Sequence, residues 1–234
     1  MKVTIMGCSG GYPAANGACS GYLVSEGEST LLLDCGSGVL SRLFALTDPL
    51  SLDSIIITHW HYDHASDLLP LQYCLQSKKS RLHVYGPEEN APLRTLCECP
   101  EFILHSLRDV KRIGAFQVEA FPTKHPMPSF AVKVMVNGST LVYTGDAAEM
   151  ESLKSFCKEA DVLLCDAAFS KVQWTSTSPH MNAEMAASLA LSTDHAKLVL
   201  THFPPGQDIH ALLKEARAVY PDSIAAHPGL QFNI

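Results

Sequence analysis

The run His59-Trp60-His61-Tyr62-Asp63-His64 constrains this chain more than any other feature, because it crowds three imidazoles and a carboxylate into a few residues. It follows Ser54–Thr58, a short apolar stretch of strand length that ends on His59. Side chains alternate along extended backbone, so His59 and His61 point to one side. Asp63 and His64 then fall where the chain bends towards a helix over Asp67–Gln76. Imidazole nitrogen and carboxylate oxygen are the donor set that zinc accepts at a catalytic site. A histidine-rich surface loop is the plain alternative, and it fits poorly with a run that starts at the end of a buried strand.

The rest of the chain reads as strands alternating with helices, the pattern of an α/β fold. Lys2–Met6 is a strand before the loop Gly7–Ser20, and Gly21–Ser25 with Ser29–Asp34 forms a hairpin about Glu26-Gly27. Ser37–Thr47 is a helix, and Arg81–Tyr85 a strand. In the second half, Ala115–Thr123 is a strand ending near His125, and Phe130–Val136 with Thr140–Thr144 forms a hairpin across Asn137-Gly138. Helices follow over Glu149–Glu159, Ala183–Leu191 and Asp208–Val219, with strands over Asp161–Asp166, Lys197–Thr201, Ser223–Ala226 and Leu230–Asn233. No low-complexity linker separates the halves, so residues 1–234 are expected to form one domain. Ile55-Ile56-Ile57-Thr58-His59 and Leu198-Val199-Leu200-Thr201-His202 are near copies, two apolar strands that each end in Thr-His. The C-terminal ends of buried strands are where α/β folds build sites.

Bulk properties exclude several classes. With 47% hydrophobic and 18% charged residues the chain can bury a core and is not disordered. No apolar run spans a bilayer, and the N-terminus reads as a strand rather than a signal peptide. The 8 cysteines are scattered, with Cys97-Glu98-Cys99 the one close pair, so reduced thiols in a cytoplasmic protein are expected rather than a disulfide scaffold. The net charge is -7, and Lys78-Lys79-Ser80-Arg81 is the nearest approach to a basic cluster. Long nucleic acid is therefore a poor default partner.

The six-residue run resembles the signature of the metallo-β-lactamase superfamily. Gly7-Cys8-Ser9-Gly10-Gly11-Tyr12-Pro13 and Leu33-Asp34-Cys35-Gly36 are similar to the opening loop and second-strand motif of its short, ribonuclease-Z-like branch. The resemblance covers nearly the whole chain and implies a four-layer αβ/βα sandwich of two similar halves. It implies two divalent metal ions, zinc first and manganese or iron(II) as alternatives. It assigns His59, His61 and His125 to one ion, Asp63, His64 and His202 to the other, and Asp146, in Thr144-Gly145-Asp146, to both. A metal-bridging hydroxide would be the nucleophile, with Asp63 also orienting it.

The branch also carries a histidine that contacts phosphate and donates a proton to the leaving oxygen. His180 matches it, just before the helix starting near Ala183, and Asp166 matches the acidic residue that orients it. His83, His105, His195 and His210 are read as structural, and His227 as a loop residue that could approach the site. In true ribonuclease Z a long arm that grips transfer RNA follows the ligand matched by His125. Here the chain runs straight into Phe130–Val136, with no room for an arm.

The leading expectation is a phosphodiesterase acting on a small or nucleotide-like diester, without a membrane partner; the branch commonly forms homodimers. A thioesterase or lactonase shares the metal core but attacks a carbonyl, and a non-catalytic metal-stabilised scaffold would typically have lost ligands. A Rossmann-type nucleotide binder is weaker still, since Gly7-x-x-Gly10-Gly11 is not Gly-x-Gly-x-x-Gly.

Overall fold

Residues that alternate between two apolar environments set the layers of this protein. The computed structural model describes residues 1–234. Leu31 and Leu33 face one buried cluster while Leu32 faces a second, and Ile56 and its neighbours Ile55 and Ile57 split the same way. A strand buried on both faces reads as a continuous apolar run, and its period of two sends alternate side chains to a sheet–sheet core and a sheet–helix core.

The first sheet contains β1 (Lys2–Gly7), β2 (Gly21–Glu26), β3 (Ser29–Leu33), β4 (Ser54–Ile56), β5 (Leu82–Gly86) and β6 (Phe102–Ser106). Helices α1 (Val39–Phe44), α2 (Tyr62–Ala65), α3 (Leu68–Lys78) and α4 (Pro92–Leu96) place Leu43, Ala65, Leu71 and Leu93 in its outer cluster. The second sheet contains β7 (Arg112–Ile113), β8 (Phe116–Thr123), β9 (Ser129–Val136), β10 (Ser139–Tyr143), β11 (Val162–Asp166), β12 (Lys197–Thr201) and β13 (Ile224–Ala225). It is covered by α5 (Lys154–Cys157), α6 (Ala183–Leu191) and α7 (Ile209–Val219). The last strand, β14 (Gln231–Asn233), crosses back and pairs antiparallel with β1, completing the first sheet.

The two sheets share one strand plan, an antiparallel portion followed by parallel strands, and face each other across a core containing Tyr22, Leu33, Val132, Tyr143 and Leu164. The result is the helix–sheet–sheet–helix sandwich of two similar halves expected from the sequence. The two Thr-His strand ends, however, do not occupy matching places. β4 follows its hairpin directly and corresponds to β11, whereas β12 lies one strand further out.

Local chemistry explains the elements and their limits. Asn137 and Gly138 both have positive φ, 51° and 82°, as a tight hairpin turn requires. On α7, Ile209, Leu212, Leu213 and Ala216 recur at helical spacing on the core side, and the Asp208 side chain accepts from Ala211 N to start the helix. The helix expected over Glu149–Glu159 shrinks, because the Glu149 carboxylate accepts from the amides of Glu151 and Ser152 and begins the turn there. The helix expected over Ser37–Thr47 starts after Gly38, whose φ is 87°. Strand β6 was not anticipated, since Phe102–Ser106 lies at a sheet edge and lacks clean alternation. All eight cysteines are free, and burial pushes the thiols of Cys8, Cys19, Cys97 and Cys157 up to about 12. No helix is long and apolar enough to cross a membrane.

Gly36 lies where β3 turns away from α2, and a Cβ there would overlap the Asp63 carbonyl oxygen. Gly36→Ala is expected to destabilise the metal-stripped protein by about 1–3 kcal/mol through overpacking. Differential scanning calorimetry should record a Tm fall of roughly 2–12 °C; an unchanged Tm would mean that the two segments can separate at no cost.

Candidate metal centre

Five strand ends and two loops converge on one point between the sheets. After β4, the Thr58 amide and hydroxyl both donate to the Asp34 carboxylate, at 2.8 and 2.9–3.1 Å, which turns the chain towards His59. His61 is extended and precedes α2, which carries Asp63 and His64. His125 lies in the short connection between β8 and β9, Asp146 follows β10, Asp166 ends β11 and His202 follows β12. Asp34 and His202 hold positive φ, 58° and 64°, a backbone region that non-glycine residues adopt at a cost. At both positions the twist re-aims a side chain from a strand end into the cluster.

Seven side chains fall into two groups whose nearest donor atoms lie within 4.8 Å of one another, His59, His61, His125 and Asp146 in one and Asp63, His64 and His202 in the other, and a third group of Asp146, His180 and His202 overlaps both. In the first, His59 Nε2 is 2.9 Å from His61 Nδ1, which is 3.2 Å from His125 Nε2. In the second, Asp63 Oδ2 is 3.6 Å from His64 Nε2 and 3.8 Å from His202 Nε2. Asp146 faces both. Its Oδ2 lies 3.4 Å from His59 and 3.8 Å from His125, and its Oδ1 lies 3.3 Å from His64 and 3.4 Å from His202.

The imidazoles are held from behind. His64 Nδ1 bonds Asp34 Oδ2 at 2.7 Å, His125 Nδ1 donates to the Pro179 carbonyl at 3.2 Å, and His202 Nδ1 meets Ser20 Oγ at 3.2 Å. Such partners fix ring orientation and leave the other nitrogen for a metal. The Asp63 carboxylate is itself held by the Gly11 amide at 2.6 Å.

The electrostatics need a cation. Asp34, Asp63, Asp146 and Asp166 are the buried carboxylates of this chain, and no Lys or Arg pairs with any of them. Buried charges must be compensated, because desolvating an unpaired carboxylate is costly. Burial alone would keep the His64 imidazole neutral, but Asp146, Asp34 and Asp63 hold its pKa well above the ordinary value. Burial would also raise Asp146, yet His202, His64 and His59 hold it well below the carboxylate range. His59, His61 and His125 go the other way, burial pushing each down. His64 Nε2 and Asp146 Oδ1, which face each other, are buried without a hydrogen-bond partner. Convergent nitrogens, unpartnered buried atoms and excess carboxylate together fit bound divalent cations.

His180 joins this centre from the side. Its Nδ1 bonds Asp166 Oδ2 at 2.9 Å, and its ring stacks on that of His202 at 4.8 Å. Burial lowers its pKa, but the adjacent Asp166 carboxylate and then Asp146 outweigh that and raise it to about 9. Asp166 also accepts from the amides of Ala147 and Ala168, which fixes it in place. The Trp174 indole donates to the His180 carbonyl at 3.1 Å.

All the residues singled out in the sequence come together here. His83 and His105 instead pair with each other at 2.7 Å on the outer strands, and His195 bonds Asp161. His227 lines a separate cavity of about 350 Å³ with Ser9 and Phe203, and no cysteine belongs to either ligand group. Sequence reasoning missed the supporting residues. Tyr143 donates to Asp34 Oδ2 at 2.9 Å across the two halves, and Tyr22 meets Thr201 Oγ1 at 2.7 Å. No spacing signals contacts this distant along the chain; an apolar strand that carries a tyrosine is the one hint.

A sandwich with a His/Asp cluster at its strand ends defines a metal-dependent hydrolase of the metallo-β-lactamase fold. A model described as the beta-lactamase superfamily domain matches residues 29–203. The probable metallo-hydrolase YhfI of Bacillus subtilis is 35% identical over 94% of each chain. The crystal structure of that protein superposes with a TM-score of 0.93 at 33% identity, covering 99% of this chain and 98% of that one. Ribonuclease Z of Archaeoglobus fulgidus is 26% identical over an alignment of 299 positions that covers 100% of this chain and 97% of its own, so it carries segments absent here. A diphosphatase of the PhnP family shares the fold, with a TM-score of 0.76 at 15% identity over 99% of this chain and 96% of that one. This chain belongs to the beta-lactamase superfamily.

Because the carboxylates lack Lys or Arg partners, metal removal is expected to destabilise the fold. Relative to stripped protein, divalent metal at 100 times its Kd should add about 2.7 kcal/mol, a Tm rise of roughly 5–11 °C. An unchanged Tm would mean that histidine protons alone balance the site.

Proposed function

We propose that this hydrolase cleaves a small, nucleotide-like phosphodiester, with His59, His61 and His125 holding one divalent ion, Asp63, His64 and His202 a second, and Asp146 shared between them. The pair of ions, zinc in first place, would supply an activated water nucleophile and polarise the phosphoryl oxygens when bound. The observation that carries the phosphoryl reading is His180, held by Asp166 at 2.9 Å against the ring of His202.

The chain's own residues divide the remaining work. Asp63, held by the Gly11 amide, keeps one oxygen directed at His64 and His202 and so orients the attacking water. Asp166 takes the Nδ1 proton of His180 as a hydrogen bond and fixes the ring. The other ring nitrogen then contacts the phosphate and delivers a proton to the departing alkoxide. A phosphodiester needs that proton most when the alcohol leaving is a poor one. A relative named as a ribonuclease Z and a fold neighbour named as a PhnP-family diphosphatase support phosphoryl chemistry over attack on a carbonyl.

Substrate size follows from one connection. Strand β8 ends at Thr123 and β9 begins at Ser129, so residues 124–128 alone join them, and His125 sits in that link. No arm rises there to hold a long polyanion, and the net charge of -7 offers no substitute.

Three outcomes are expected. Elemental analysis of reconstituted protein should give about two metal ions per chain, and Asp146→Ala should lose both occupancy and turnover; one ion in the intact protein would rule out the shared carboxylate. His180→Ala should keep its metal and lose about 10²–10⁴-fold in kcat on an alkyl diester, with a much smaller loss on a nitrophenyl ester. Equal losses would leave His180 a binding role only. Precursor transfer RNA should be cut slowly or not at all at physiological salt, and fast, strongly salt-dependent cleavage would refute the small-substrate reading.

A further inference from the structure

The residues of the short link between β8 and β9 border an open cleft. This cleft of about 310 Å³ opens along the link that carries His125, lined by His125, whose imidazole is only 1% exposed, by Pro126, Met127 and Pro128 after it, and by Phe130 and Arg108. Its size sits at the lower end for small-molecule sites, enough for one ring system. Pro126 and Pro128 have fixed φ, and Met127 between them packs on the first half's outer cluster.

Arg108 gives the cleft its chemistry. The guanidinium carbon lies 4.7 Å from the centre of the Phe130 ring, so one face of the group rests on an aromatic floor. Its one hydrogen bond runs from Nη2 to Glu89 at 2.6 Å, and that carboxylate neutralises its charge. The side chain is 48% exposed, so the opposite face of the guanidinium is open. A cation already paired with a carboxylate is a weak site for a further phosphate. A flat, delocalised group stacked on one side and open on the other is a strong site for a planar ring, because arginine stacks as readily as it pairs.

We propose that Arg108 is a specificity-determining residue, and that the cleft it shares with His125 receives the nucleobase of the substrate, stacked on the guanidinium while the phosphate lies at the metal centre. The inference rests on the phosphodiesterase reading and names the group attached to the diester. Base stacking tolerates any base, because each has a π face. The cleft therefore selects nucleotides over alkyl phosphates without choosing strongly among bases.

The test compares two ligands that differ only by the base, adenosine 5′-monophosphate and ribose 5-phosphate, titrated into metal-loaded protein by calorimetry. The intact protein should prefer the nucleotide by about 5- to 100-fold, the worth of one stacked base. Arg108→Ala should remove the preference without changing the affinity for ribose 5-phosphate or the metal content, and with at most a small fall in Tm, because Arg108 makes an exposed ion pair and one contact with the Phe130 ring. Arg108→Lys, which keeps charge and loses the plane, should not restore it. Equal affinities in the intact protein, or a preference that survives Arg108→Ala, would overturn the proposal. Full rescue by Arg108→Lys would also overturn it, since it would make the contact one of charge. Hydrolysis of thymidine 5′-p-nitrophenyl phosphate separates the two levels. Its absence in the intact protein sinks the diesterase reading, while the binding difference still decides the role of Arg108.

Discussion

Four buried carboxylates without a Lys or Arg partner are the constraint around which this molecule is arranged. Asp34, Asp63, Asp146 and Asp166 sit with the buried imidazoles of His59, His64, His125 and His202. Everything else in the interior is apolar or neutral. Such concentration is costly unless cations enter, so the same feature that makes the centre reactive makes it dependent on what it binds. The sandwich meets the geometric requirement. Strands from both halves deliver their C-terminal ends to one seam, and each end contributes one or two polar groups.

The order of support around the centre is also physical. Asp34 is not among the seven converging groups, yet it accepts from Thr58, His64 and Tyr143. It therefore couples the first sheet's two central strands to the second sheet through one carboxylate. His180 lies in a similar relation to Asp166. In both pairs a fully buried aspartate turns an imidazole, a pattern that raises ring basicity and fixes which nitrogen faces the centre.

Much of this was legible in the sequence because the signals were local. His59 to His64 are contiguous, Asn137-Gly138 announces its hairpin, and the apolar segments Ala183–Leu191 and Lys197–Thr201 match the observed elements. Remote members such as His125 and Asp146 were placed by family resemblance, not by spacing. What stayed hidden was non-local or weakly patterned. The Pro179 carbonyl behind His125 and the Trp174 indole behind His180 depend on how a loop folds over the site. Strand β6 lies at a sheet edge with Phe102 alone fully buried, so Phe102–Ser106 lacks the alternation that marks a strand with one buried face. Cross-sheet partners such as Tyr143 and Asp34 pair over a sequence distance that no window reaches.

The return of β14 to the first sheet has a kinetic consequence. Its pairing with β1 joins Val3 to Phe232, nearly the whole chain apart, and β7 to β13, all in the other sheet, come before it in the chain. Contacts of such long range are slow to close, since the loop entropy is lost before the pairing rewards it. During synthesis the edge of β1 stays open until the last strand emerges, while β2 and β3 are already available beside it. The nascent first sheet therefore presents an unpaired edge through most of translation, and the window for wrong strand addition is set by the time the ribosome takes to reach residues 231–233.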